Sequence, residues 1–220
     1  MYKFFCLCLM FLSARATAQD PWKDVYKETT WAQRDTWQRP EEIISLLSLN
    51  DRSKVADIGC HEGYFTFKLA EAVRKGRVYA VDISRSKIEK LEDHLRERKV
   101  KNVHAIVGDP DNPKLPTAAL DAVLIVDTYH EIKAHQEMLH QIHMALKPGG
   151  KILLCEPIST GVSALSREDQ EKKHELDISF AREDLLKAGF KIIMKREKFV
   201  DRTHIKGDTM WILLAEKTVR

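Results

Sequence analysis

Four aspartates, Asp57, Asp82, Asp109 and Asp127, each close a short apolar run. The strand tips of a parallel sheet face one ligand crevice, so acids placed there can meet a bound small molecule. The first of them is the most informative. Val55-Ala-Asp-Ile-Gly-Cys-His-Glu-Gly63 reads as a strand, a tight glycine turn and the start of the amphipathic run Tyr64–Val73. Glycine tolerates φ > 0 and lets backbone approach a ligand, and a helix start offers free N–H groups and partial positive charge. This corner is expected to hold a polar small molecule by its main chain. The spacing excludes two ligands. Gly59 and Gly63 do not form G-x-G-x-x-G, and no Lys follows as in a phosphate loop. Asp57 and Glu62 would repel a phosphate, which leaves a cationic or zwitterionic ligand.

The D-x-G-x-x-x-G pattern of Asp57, Gly59 and Gly63 resembles the first motif of class I S-adenosylmethionine (SAM) dependent methyltransferases. Further elements follow in that family's order. Arg77-Val-Tyr-Ala-Val-Asp82 ends in an acid that can accept both hydroxyls of a ribose. Val103–Asp109 and Leu120–Asp127 are a third and a fourth strand, and Lys147-Pro-Gly-Gly150 precedes a fifth ending at Glu156. The resemblance runs from about Trp31 to the C-terminus. It implies that Asp57, Gly59, Cys60 and Gly63 cradle the methionine end of SAM. Asp82 would bind the ribose, Ile83 would pack beside the adenine, and Gly108 and Asp109 would flank it. Asp127 would face the methionine part or the substrate, and Arg34 would meet the SAM carboxylate.

Methyl transfer is an in-line displacement in which positioning is the main task. A base is needed only when the acceptor must lose a proton. Asp127-Thr-Tyr-His-Glu131 stands where acceptors meet SAM in the family resembled. His130 is the candidate base, Glu131 its orienting acid, and Tyr129 a wall of the acceptor pocket. The same residues also suit a helix cap, and the sequence leaves both readings open. No metal is expected: the nine histidines are scattered, and neither H-E-x-x-H nor C-x-x-C occurs. A small-molecule acceptor is expected. The Asn/Asp-Pro-Pro-Tyr signature of base-amino methyltransferases is absent, and the charge balance is poor for nucleic acid. Two alternatives are a protein carboxyl methyltransferase of the isoaspartyl type and a SAM-binding module without turnover. A dehydrogenase is disfavoured by the glycine spacing.

The elements that must position these residues alternate. Strands are expected at 54–58, 78–82, 103–109, 122–126, 151–156, 190–199 and 209–216, the last two as an antiparallel pair, with helices at 64–75, 85–99, 135–146 and 182–188. Alternation means an α/β, doubly wound, mostly parallel sheet. The resemblance makes it seven-stranded, with an antiparallel C-terminal strand. Residues 157–179 read as irregular, and 20–39 show no clean period. The mixture of Trp31, Arg34 and Trp37 nevertheless suggests a roof over the site, ahead of a helix opening at Pro40.

With 220 residues, the chain suffices for one α/β domain. Lys3, the apolar run Phe4–Leu12 and Ala16-Thr-Ala18 form the pattern of a secretory signal peptide, and the run is too short to span a bilayer. The expected division is a leader over 1–18, an aromatic and basic segment with a helix covering the site over 19–53, and the methyltransferase domain over 54–220. The location is then secreted or periplasmic, or cytoplasmic if the leader is not one. Cleavage after Ala18 would remove Lys3 and Arg15, and with them two of three net positive charges. It would also leave only Cys60 and Cys155, whose strands are not neighbours in the resembled fold, so no disulfide is expected.

Overall fold

The computed structural model describes residues 25–218, so the leader expected over 1–18 lies outside the described residues. A 3₁₀ turn at Glu28–Thr30 leads into α1 (Trp31–Gln38) and α2 (Pro40–Leu46). Then come β1 (Lys54–Ile58), α3 (Tyr64–Ala72), β2 (Arg77–Asp82), α4 (Arg85–Glu97), β3 (Val103–Val107) and β4 (Leu120–Val126). The chain continues through α5 (His135–Ala145), β5 (Leu146–Ile158), α6 (Arg167–Glu171), α7 (Ile178–Lys187), β6 (Phe190–Arg202) and β7 (Asp208–Lys217).

The seven strands form one sheet in the order β3-β2-β1-β4-β5-β7-β6. The first five are parallel, and β7 runs antiparallel to both β5 and β6. Strand periodicity divides the core into two layers. Val123 and Ile125 of β4 join Met138, Leu139 and Ile142 of α5 and Leu185 of α7 on one face. Ala122 and Leu124 join Ile43 of α2 and Phe65 and Leu69 of α3 on the other. An unbroken apolar β4 is what a strand covered on both sides requires. Helix α4 buries Ile88, Leu91 and Leu95 against Phe67 and Ala80 in a smaller cluster, leaving its many charges outside.

Three segments differ from the sequence expectation. Residues 31–38 are a helix although no apolar stripe is visible, because its buried residues are Arg34 and Gln38. The stretch read as irregular holds α6, whose Ser166 side chain accepts from the Asp169 N–H. Helix α7 starts at Ile178, capped by Asp177, not at Arg182. Cys60 and Cys155 are both buried and free, with β4 lying between their strands. No described helix is long and apolar enough to cross a membrane.

Gly63 caps α3 at φ +107°, and a Cβ there would sit 2.6 Å from Leu91 Cδ1. Strain and overpacking together set the cost of an added methyl at about 2–4 kcal/mol. Gly63→Ala should lower stability by that amount in urea denaturation; an unchanged midpoint would remove Gly63 from the helix-packing role.

Candidate active site

The strand order reverses between β1 and β4, and a cavity of about 820 Å³ opens there over the carboxyl ends of the strands. That is where open α/β sheets take their ligands. Arg34, Asp57, Gly59, Cys60, Asp82, Ile83, Asp109, Asp127, His130 and Glu131 all line it. Gly63, Gly108 and Tyr129 are not among its lining residues. Gly63 lies against α4, and Gly108 is a packing glycine whose Cβ would meet Val81 Cγ1 at 2.8 Å.

The glycine loop works by shape more than by free donors. Gly59 sits at φ +76°, and a Cβ would fall 2.2 Å from Thr128 Oγ1, so only glycine fits between β1 and the tip of β4. Its N–H and that of Cys60 donate to the Val81 carbonyl at 2.8 and 3.0 Å. The His61 N–H donates to Asp82 Oδ2 at 3.0 Å. The N–H groups of Gly59, Cys60 and His61 therefore tie the loop to β2 and are not the free donors expected of this corner.

Asp57 is buried and accepts from Thr66 Oγ1 at 2.6 Å. Burial raises its pKa to about 6, against the pull of Thr66 and Arg34. Asp82 accepts one N–H on each oxygen, the second from Ser84 at 2.8 Å, which leaves lone pairs on both for hydroxyl donors. Beside it Ile83 is 65% exposed, an apolar side chain lining the cavity. Asp109 lies further out, paired with Lys114 at 2.9 Å. Arg34, almost fully buried, donates to Gln38 Oε1 at 3.2 Å and lies over the Tyr64 ring at 4.1 Å. It has no carboxylate partner among the described residues, and burial lowers its pKa.

The opposite end is set by two buried acids. Asp127 accepts from Arg202 Nη1 at 2.7 Å and from the Tyr26 hydroxyl. Burial alone would raise its pKa, but Arg202 and Lys206 hold it far below the usual carboxylate range. Arg202 is fully buried and grips Asp208 with two bonds of 2.7 and 2.9 Å. Asp127 is thus already occupied by protein, which limits what it can offer a ligand. Glu156, at the end of β5 and fully buried, accepts from the N–H groups of Thr128 (2.8 Å) and Tyr129 (2.9 Å) and from His130 Nδ1 (2.6 Å). Burial would lower the His130 pKa, and Glu156 more than reverses this.

Two expected roles are corrected here. Glu131 is exposed and stands 3.8 Å from His130 Nε2, so Glu156 and not Glu131 orients the imidazole. Tyr129 is fully buried, donates to Asp184 Oδ2 at 2.9 Å and packs on His135, so it is core and not pocket wall.

A family profile described as a methyltransferase domain matches residues 49–206. The chain belongs to the methyltransferase domain family. A demethylmenaquinone methyltransferase of Geobacillus sp. (strain WCH70) is 29% identical over 117 residues, covering 53% of this chain and 50% of the relative. An (S)-coclaurine N-methyltransferase of Thalictrum flavum subsp. glaucum is 31% identical over 115 residues, covering 49% of this chain and 32% of the relative. The chain thus spans about half or less of the length of these curated relatives. Among solved structures, a SAM dependent methyltransferase from Aquifex aeolicus superposes with a TM-score of 0.70 at 18% identity, covering 85% of this chain and 93% of that one. The fold is that of class I methyltransferases, as the sequence led us to expect.

The side chains of this methyltransferase domain fit SAM. Among the described residues, Arg34 is a buried cation without an acid, suited to a carboxylate, and His61 presents a buried Nδ1 with no hydrogen-bond partner. Burial and Lys87 push the His61 pKa down to about 4, so the ring is neutral near pH 7. Asp57 suits an ammonium group, Asp82 a diol, and Ile83 an aromatic face. The sequence reading missed Tyr26, His61, Glu156 and Lys206. Glu156 carried a usable signal, an acid closing an apolar strand like the four aspartates. His61 carried one too, its place inside the glycine corner, whereas Tyr26 and Lys206 carried none.

The raised Asp57 pKa has a defined effect on stability. The folded chain holds this proton more tightly than the unfolded one, so its contribution is whole below 3.8 and is lost as pH rises through about 6. The loss amounts to about 3 kcal/mol. Asp57→Asn lacks it, and should gain roughly that much relative to the wild type between about pH 4 and pH 7. Urea titrations at the two pH values check this; parallel behaviour would mean Asp57 titrates normally.

Proposed function

We propose that the protein is a SAM-dependent methyltransferase acting on a small molecule, with His130 taking a proton from the acceptor. The observation that carries this reading is the pairing of two sets of groups in one cavity. Asp57, Asp82, Ile83 and Arg34 match the parts of SAM, and His130, backed by the buried Glu156, lines the same space. The Nδ1–H donated to Glu156 leaves the Nε2 lone pair for the cavity side.

The acceptor's nucleophilic atom attacks the methyl carbon in line with sulfur. The carbon–sulfur bond breaks with its electrons going to sulfur, and S-adenosylhomocysteine leaves. Where the nucleophile is a hydroxyl or an ammonium-derived amine, His130 Nε2 receives its proton and Glu156 stabilises the imidazolium. A cavity of about 820 Å³, with Arg34 of α1 in its lining, suits a small acceptor beside the cofactor. The names of the demethylmenaquinone and coclaurine relatives point the same way.

Asp82→Ala should weaken SAM binding at least tenfold in isothermal titration calorimetry, measured on protein that stays folded despite losing the acceptor of the His61 and Ser84 N–H groups. Unchanged affinity would remove the ribose role, and no SAM uptake by folded wild type would sink the whole reading. His130→Ala, assayed in chelator, should lower kcat by about 10²–10⁴ while the SAM Kd stays constant. Full turnover in that variant would leave His130 a structural residue.

A further inference from the structure

The sequence shows no metal spacing, yet the fold brings His130, Glu131 and His174 together at the acceptor end of the cavity. His130 and Glu131 follow β4, whereas His174 follows α6, so only the tertiary structure unites them. One donor atom from each lies within 4.8 Å of the other two. His174 Nδ1 is 3.3 Å from Glu131 Oε1, and His130 Nε2 is 3.8 Å from the same oxygen. Donors bonded at 2.0–2.1 Å to a tetrahedral ion stand about 3.3 Å apart, so one edge already has ligand spacing. Glu131 and His174 are exposed and can move inward by the remainder, and His130 is fixed.

A second observation makes this more than a surface cluster. The Nδ1 of His130 is engaged at 2.6 Å by the fully buried Glu156, which sets the tautomer and aims Nε2 outward. A carboxylate behind an imidazole is the support that metal-ligating histidines generally have. Glu131 and Glu156 supply two negative charges against a dication. Of the nearby cations, Lys133 is tied to Glu171 at 2.9 Å.

We propose that His130, Glu131 and His174 form a binding site for a zinc-type divalent cation, with Glu156 as the supporting carboxylate and a coordination position open to the cavity. Two imidazole nitrogens and one carboxylate oxygen suit zinc, cobalt(II) or nickel(II) far better than magnesium or calcium, which take oxygen ligands. The inference stands on this donor set and is independent of whether the cavity holds SAM. It has one consequence for catalysis. The His130 lone pair serves either a proton or the ion, so the loaded protein loses the direct base, and an acceptor oxygen would instead meet the metal at the open position.

Cobalt(II) is the probe, added to the full-length protein after chelator treatment, with uptake followed by visible absorption and by calorimetry. One equivalent should bind in the micromolar range with bands of four- or five-coordinate cobalt, and zinc should displace it. His174→Ala, an exposed change that leaves the fold intact, should weaken uptake about a hundredfold, and Glu156→Gln by 10–100-fold. Absence of bands and heat with folded protein, or undiminished uptake by His174→Ala, overturns the site. SAM titration of the same samples reads the methyltransferase proposal separately, since Asp57, Asp82 and Arg34 lie outside the cluster.

Discussion

A single buried carboxylate organises the reactive end of this protein. Glu156 has no exposure, and an ionised acid in such a place is tolerated only when its lone pairs are filled. Three backbone amides and an imidazole fill them, all from residues 128–130. The turn after β4 cannot shift without stranding the charge. That constraint fixes the position of His130, whether its other nitrogen meets a proton, an acceptor or an ion.

Arg202 plays the complementary part on the far strand pair. It is a fully buried cation between Asp127 and Asp208, and so locks the β6–β7 hairpin to the tip of β4. Tyr26 extends the network to the N-terminal segment, donating to Asp127 and accepting from Lys206 at 2.7 Å. Two buried arginines thus have opposite situations. Arg202 has its acids inside the protein, whereas Arg34, among the described residues, has only an amide and aromatic faces around it.

The glycine corner shows how far residue types can be trusted. Gly59, Gly63 and Gly108 look alike in sequence, but only Gly59 lines the cavity. Gly63 makes room for Leu91 and Gly108 for Val81. Tyr129 and His130 are neighbours on a 3₁₀ turn, and its geometry sends one ring into the core and the other to the cavity. Helix α1 escaped notice for a related reason. Its inward face is Arg34 and Gln38, so hydrophobic periodicity, the usual mark of a helix, is missing where the site needs polar groups.

The chain by itself determined the alternation of strands and helices, the doubly wound sheet and the acids at the strand tips. Those follow from local rules: apolar runs of strand length, amphipathic spacing and glycine turns. Only the tertiary structure decided which tip residues face the ligand, that Glu156 replaces Glu131 behind His130, and that His174 joins them. Such choices depend on side-chain direction and on which distant segments share a buried charge. A one-dimensional pattern carries neither, because electrostatic and steric partners are set by distance in space.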